Sequence, residues 1–259
     1  MSIAAGAVVF FQAAEASAQV GLEPMVVHSE VSRGQAQSVL TVTNPTSEAM
    51  RVRVYAEPFT YERDTGFTLL SEDSHDLTPY LQFSPREFVV PAGERQRVRV
   101  VGLLPPSLLE SEYRAVIFTE ALPEVPLSEA ASIAGIKTRV GATVYFHQPD
   151  AEAELAIVAG QWDAEDRKIR LLVENAGEVS VRPNAKWTLR RNGETLATGE
   201  SGSTTTIAGR DRWLQVAYSE EQQGVLVPGS YELTGELVWL EGDRQSTQPF
   251  STSFVIQSR

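Results

Sequence analysis

The chain of 259 residues contains no cysteine, which excludes disulfides, thiolate metal sites and cysteine nucleophiles. Basic residues are also outnumbered by acidic ones, 22 against 34, which gives a formal net charge of -12. This balance argues against nucleic acid as a partner and offers no polybasic attraction to anionic membranes. No apolar run is long enough to span a bilayer as a helix, so no membrane insertion is expected. The hydrophobic content of 42% is still sufficient for a buried core, as expected of a globular protein.

The usual sequence motifs of enzymes are absent as well. There is no Gly-rich phosphate loop, no G-x-S-x-G and no H-E-x-x-H. His28, His75 and His147 are isolated from one another along the chain, and the acidic segment Asp163–Lys168 lacks the spacing of a calcium-binding loop. We therefore expect no catalytic residue, no cofactor and no metal site, and we interpret the chain as a binding protein.

The N-terminus resembles an export signal. An apolar run from Ile3 to Phe11 is followed by Ala16–Ala18, which places small residues at -3 and -1 of a cut before Gln19. This pattern predicts a secretory signal peptide over residues 1–18. No Lys or Arg precedes the apolar run, so an ordinary N-terminal tail or a start further upstream stays an alternative.

Alternation of apolar and polar residues dominates the first half of the chain and predicts strands rather than helices. In the segment from Arg95 to Leu103, the alternation places Val98 and Val100 toward a core and the arginines toward water. Seven short strands with regular turn signals favour an immunoglobulin-like sandwich. The predicted strands lie near Glu23 and at Gln37–Asn44, Met50–Glu57, Leu81–Val90, Arg95–Leu103, Tyr113–Glu120 and Thr138–Phe146.

A second unit follows the polar segment His147–Glu154 and repeats the pattern of the first. Three landmarks recur in the same order: an Asn-led turn, a Gly turn before a strand, and a Tyr opening a strand. The matched pairs are Asn44 with Asn175, Gly93 with Gly209, and Tyr113 with Tyr231. The predicted fold class is therefore all-β, with two tandem immunoglobulin-like domains over residues 19–149 and 150–259.

The first domain resembles the PapD-like periplasmic chaperones of the chaperone–usher pilus pathway. The resemblance rests on a series of segments that covers most of residues 22–150, and the second domain is similar only in length and general pattern. It implies two immunoglobulin-like domains set as an L. The segments are "SVLTVTNPTSEAMRVRVYAE", "LQFSPREFVVPAGERQRVRVV", "LLPPSLLESEYRAVIFTEALPE" and "KTRVGATVYFHQPD".

This resemblance implies a function in the periplasm. In that family, strand G of the chaperone completes the unfinished sandwich of an exported pilus subunit, which is donor-strand complementation. Exported pilus subunits are then the expected partners, with an outer-membrane usher as a further one. The alternative is a structural or adhesive surface protein that keeps the tandem fold without the donor function.

The candidate client-binding residues lie at the start of strand G and in the loop Ala121–Ile136 before it. Val140 to Phe146 are expected to supply the domain's own core. The donor side chains would then be among Val125, Leu127, Ile133 and Ile136. The family also anchors the subunit's C-terminal carboxylate with a basic pair on strands A and G.

The basic pair is only partly matched by this sequence. Arg139 lies roughly where the lysine of strand G is expected, with Lys137 as the other option. The expected strand A, "LEPMVVHSEVS", contains neither Arg nor Lys. The predicted client-binding set is therefore Ile133, Ile136, Lys137 and Arg139.

Overall fold

The computed structural model describes residues 20–108, 110–122 and 139–258. Its first half forms two sheets and a separate hairpin. One sheet has the order β1-β3-β9-β7 and the other β2-β11-β10-β4-β8, while β5 pairs with β6 alone. The strands are β1 (Gly21–Glu23), β2 (Val26–Glu30), β3 (Gln35–Thr43), β4 (Met50–Glu57), β5 (Phe59–Glu62), β6 (Gly66–Leu69), β7 (Leu81–Ser84), β8 (Glu87–Val90), β9 (Arg95–Leu103), β10 (Glu112–Leu122) and β11 (Arg139–His147).

The second half forms two further sheets, with the orders β12-β13-β16 and β15-β14-β17-β18. Among the described residues, no sheet mixes strands from the two halves. The boundary near Asp150 stays a prediction, and it falls in the segment between β11 and β12. The strands are β12 (Leu155–Asp163), β13 (Lys168–Asn175), β14 (Asn184–Arg191), β15 (Glu194–Glu200), β16 (Arg210–Val216), β17 (Gly229–Glu241) and β18 (Arg244–Ile256), with a short helix α1 (Glu220–Gln223).

Each half encloses its own hydrophobic core between its two sheets. Leu40, Val98 and Ile117 are fully buried in the first core, and Leu171 and Leu233 in the second. A third cluster lies between the halves and consists of Phe59, Val116, Phe118, Tyr145 and Ile207. Strand β10 contributes to two of these clusters, so both of its faces are buried along most of its length.

The predicted pair of asparagine turns is confirmed by matching hydrogen bonds in the two halves. The amide nitrogens of the buried Asn44 and Asn175 both donate to the carbonyl four residues later, at Glu48 and Val179. Asn44 also donates to the carbonyl of Val90, and Asn175 to that of Thr206. Each of these carbonyls lies three residues before the landmark glycine of its half.

The paired glycines and tyrosines agree in the same way. Gly93 and Gly209 both have positive φ, which glycine adopts without steric cost. The hydroxyls of Tyr113 and Tyr231 accept from the backbone N–H groups of Glu110 and Val227. The repeat is therefore structural as well as compositional.

Two details differ from the sequence predictions. The single strand expected over Leu81–Val90 is two strands in different sheets, β7 and β8, because the chain turns at Ser84–Pro85. The hairpin of β5 and β6 was not predicted at all. The exposed arginines of β9 and the buried Val98 and Val100 do follow the predicted alternation. No helix among the described residues is long and apolar enough to cross a membrane.

Candidate functional site

Strand β11 is paired along its whole length on one side but only in part on the other. Its antiparallel pairing with β10 runs from Arg139 to His147. On the opposite side, β2 pairs in parallel only with Thr143 to His147. Within the described residues, the stretch from Arg139 to Ala142 therefore has an open edge.

The direction of the backbone groups on this stretch follows from the pairing. The N–H group of Thr143 donates to the carbonyl oxygen of Met25, on the β2 side, at 3.0 Å. Backbone groups two residues apart point the same way in a strand, so those of Gly141 and Arg139 also face the open edge. The carbonyl of Val140 faces the other way and accepts from the Thr119 hydroxyl. Two N–H and two C=O groups are thus available to an added strand.

Of the residues predicted from the sequence, some belong to the described part of the chain and others do not. Ile133, Ile136 and Lys137, with Val125 and Leu127, lie outside the described residues. Arg139 is described, and so are Ala121 and Leu122 from the predicted loop. Those two residues belong to β10, so this strand extends two residues beyond the predicted end at Glu120. Ala142, Val144 and Phe146 are buried in the first core, as predicted for the strand's own packing.

Arg139 projects away from the first core and covers an aromatic ring. Its guanidinium carbon lies 4.0 Å from the centre of the Phe118 ring. Its Nη1 donates to the hydroxyl of Tyr55 at 3.2 Å and pairs with Glu57 at 3.4 Å. With 40% of its side chain exposed, Arg139 is held in place at the surface but stays accessible to a ligand.

A cleft pocket of about 400 Å³ lies beside the open edge, between the two halves of the molecule. Apolar and aromatic groups line one wall, and arginines with hydroxyl groups line the other. Phe118 belongs to the first wall, and Arg139, which covers the Phe118 ring, is not itself among the lining residues. The lining residues are Met25, Val26, Tyr61, Phe67, Val116, Phe118, Gly141 and Thr143 from the first half and Arg182, Ser203, Thr204, Thr205 and Arg212 from the second.

The second wall gives the cleft pocket a positive character. Arg212 donates to the carbonyl of Thr205 and lies 4.2 Å from the centre of the Tyr61 ring. Burial lowers the pKa of its guanidinium, because the charged form is partly removed from water. Arg182 is exposed, and its Nη2 lies 3.5 Å from the hydroxyl of Ser203. An anionic group is the ligand that such a wall would favour.

Sequence reasoning missed Arg182 and Arg212. They belong to a loop and a strand that are distant in sequence, and neither lies in a motif. Both are in the second half of the chain, where the resemblance was weakest. Only the packing of the two halves brings them to the same cleft as β11.

An uncharged aromatic pair joins β2 to β11 next to the pocket. The rings of His28 and Tyr145 are stacked, with their centres 4.6 Å apart. Burial, with smaller contributions from His147 and Arg182, lowers the pKa of His28 to about 4. His28 is therefore neutral at physiological pH and adds no cation to strand β2.

The hairpin of β5 and β6 contacts strand β16 of the second half through ion pairs and a hydrogen bond. Arg63 forms an ion pair with Asp211, and Glu62 pairs with Arg210. The indole N–H of Trp213 donates to Asp64 at 3.1 Å. Together with the third hydrophobic cluster, these contacts hold the hairpin against the second half of the molecule.

Solved structures with the same arrangement include a fimbrial chaperone and a second chaperone. The class 5 fimbriae chaperone CfaA matches with a TM-score of 0.50 and 12% identity, over 89% of this chain and 98% of that one. The YadV chaperone matches with a TM-score of 0.51 and 10% identity, over 90% and 98% of the two chains. No protein-family profile matches the chain, and no curated protein matches it in sequence.

The chain has the two-domain fold of the fimbrial chaperones. The resemblance predicted from the sequence is confirmed at this level, and so is the all-β class with immunoglobulin-like domains. At 10–12% identity the likeness extends to the fold alone.

Proposed function

We propose that this protein is a periplasmic chaperone that binds exported pilus subunits by donor-strand complementation along β11. The observation that carries the proposal is the open edge of β11 from Arg139 to Ala142. An incomplete sandwich exposes unpaired backbone groups and an apolar groove, both of which cause aggregation. A chaperone strand added to the subunit pairs with the unpaired backbone groups, and its apolar side chains cover the groove.

The cleft pocket supports the same proposal. A client strand aligned with the edge of β11 would run beside the pocket, where a chain terminus could enter. Its carboxylate would meet Arg139 over the Phe118 ring and Arg182 and Arg212 on the facing wall. Arg182 and Arg212 of the second domain would then bind the client carboxylate in place of the basic residue that strand A lacks. The predicted role of Arg139 as a carboxylate ligand is kept in this proposal.

The donor side chains proposed from the sequence are Ile133 and Ile136, which precede the open edge. Each would contribute roughly 1.5–3 kcal/mol if fully covered by a client. Ordering the chain opposes this by about 1–2 kcal/mol per residue fixed, so a short stretch is favoured. Lys137 would extend the basic end of the site.

The test is capture of a subunit by variants of one residue. Arg139 is the first residue of β11, where proline is tolerated within a sheet. Arg139→Pro removes an N–H group that points to the open edge, and Arg139→Ala keeps it while removing the guanidinium. Each variant is co-expressed with a small exported β-rich subunit from the same genome region and purified from the periplasm.

We expect Arg139→Pro to lose more of the co-purified subunit than Arg139→Ala, because the backbone bond is lost in addition to the charge. Arg97→Ala, which removes an exposed arginine of β9 far from the site, is the matched control and should capture as much as the unmodified protein. If all three variants capture equal amounts, β11 is not the donor edge. If the unmodified protein captures none, the alternative of a structural tandem-domain surface protein replaces the proposal.

A further inference from the structure

A fully buried carboxyl group joins the two halves of the molecule at the base of the cleft. Glu112, on β10, is 1% exposed. Its two oxygens accept hydrogen bonds from Ser180, one from the backbone N–H at 2.6 Å and one from the hydroxyl at 2.5 Å. The Ser180 hydroxyl in turn accepts from the backbone N–H of Ala208. One side chain of the first half therefore binds one segment of the second half directly and is linked to another segment through Ser180.

Those two segments supply Arg182 and the hydroxyl residues of the cationic wall of the cleft pocket, whereas Arg212 comes from β16. Ser180 is followed by Val181, which pairs with Thr206, and then by Arg182. The other segment runs from Ser203 to Ala208 and contains the hydroxyl residues of the pocket. We propose that Glu112 is a positioning residue that holds this wall against the first domain, and that its protonation sets how firmly the wall is held.

The surroundings of Glu112 determine the direction of the effect. Burial raises the pKa of the Glu112 carboxyl to about 7, against the lowering influence of Ser180 and Arg114. Because the pKa is raised in the folded protein, the stabilising contribution is fully present below the ordinary value of 4.5. It is lost as the pH rises toward 7. Both Ser180 donors favour the ionised carboxyl, but its burial disfavours that form more strongly. Ionisation in mild base therefore favours states in which Glu112 is hydrated, and release of the wall from Glu112 provides one.

Few other charges face this carboxyl closely. Arg114, itself buried, lies 3.9 Å from Glu112 and donates to Asp73 at 2.8 Å. Within the described residues, Nε and Nη1 of Arg114 have no hydrogen-bond partner. Arg114 therefore offsets part of the charge that forms on Glu112 but does not bind it directly. The other titratable groups on the surrounding elements are Glu110, His75, Tyr145, His147 and Glu178.

The first measurement uses the unmodified protein. Carboxyl ¹³C chemical shifts are followed from pH 4 to 9, with Glu112→Gln identifying the resonance. A midpoint close to 7 is expected for Glu112. A midpoint below 5 would overturn the proposal, since the group would then be ionised throughout the relevant range.

The second measurement is the distance between the domains. The chain has no cysteine, so Gln82→Cys and Glu194→Cys place one spin label on an exposed site of each half. Between pH 5.5 and 8 the distance distribution should broaden, and the exchange protection of the Ser180 amide should fall by on the order of tenfold. Distributions that are identical at both pH values would contradict the proposal.

Two substitutions separate positioning from mere packing. Glutamine has nearly the shape of the protonated carboxyl and can both accept from and donate to Ser180, so Glu112→Gln should keep the narrow distribution at every pH. Glu178→Gln is the matched control, because Glu178 also crosses to the first half, through the Ser111 hydroxyl, but is exposed. It should keep the pH dependence of the unmodified protein. Loss of that dependence in Glu178→Gln, or its persistence in Glu112→Gln, would overturn the assignment.

The consequence for client binding rests on the proposed function and is measured separately. Subunit affinity at pH 5.5 and 8 should change in the unmodified protein but not in Glu112→Gln. A pH-dependent distance without any subunit binding would contradict the chaperone function while supporting the role of Glu112. Subunit binding with a pH-independent distance would do the reverse.

Discussion

At the scale of single residues, the site depends on a glycine that lets an aromatic ring lie over β11. A Cβ atom at Gly141 would be 2.8 Å from Val116 and 2.9 Å from the Phe118 ring. Phe118 in turn supports the guanidinium of Arg139. Gly141 thus links the open edge, the cleft pocket and the basic group.

We expect Gly141→Ala to lower the free energy of unfolding by about 1–3 kcal/mol, because the added methyl group has to displace Phe118 or Val116. Subunit capture should fall as well, since Arg139 loses its support. Chemical denaturation measures the first effect. Gly202→Ala is the control, because a Cβ there meets nothing within 4 Å. A Gly141→Ala protein as stable as this control would show that the ring moves freely and positions nothing.

At the scale of elements, each half is held by a buried asparagine that ties one turn to a distant strand end. Asn44 reaches the carbonyl of Val90, and Asn175 that of Thr206. Asn44→Ala and Asn175→Ala should each lower stability by about 1–3 kcal/mol, because buried carbonyl groups are left without a donor. Thermal unfolding followed by circular dichroism measures both. A loss in only one variant would show that the two turns are not equivalent.

The elements also show how far the sequence predicts the structure. Strands β4, β9 and β11 were predicted almost to the residue, because each alternates clearly and ends at a turn signal. The hairpin of β5 and β6 was missed, although its turn "RDT" is followed by Gly66, which has positive φ and begins β6. Its strands have four residues each, too few for alternation to stand out.

At the scale of the whole molecule, the site belongs to neither half alone. β11 supplies the edge, whereas Arg182 and Arg212 come from a loop and a strand of the second half. No local pattern could place them there, since their positions depend on how the halves pack. The strand predicted as strand G is observed as β11, which supplies one side of the proposed site, and the cleft supplies the other.

The central claim is that a client strand pairs with the open edge of β11, and amide exchange of single residues tests it directly. Exchange is followed by NMR with and without a bound subunit. Protection should rise at Arg139 and Gly141, whose N–H groups face the open edge. It should stay unchanged at Val140 and Ala142, whose N–H groups already face β10. Equal exchange at Arg139 and Gly141 in the free and bound states would contradict strand addition at this edge.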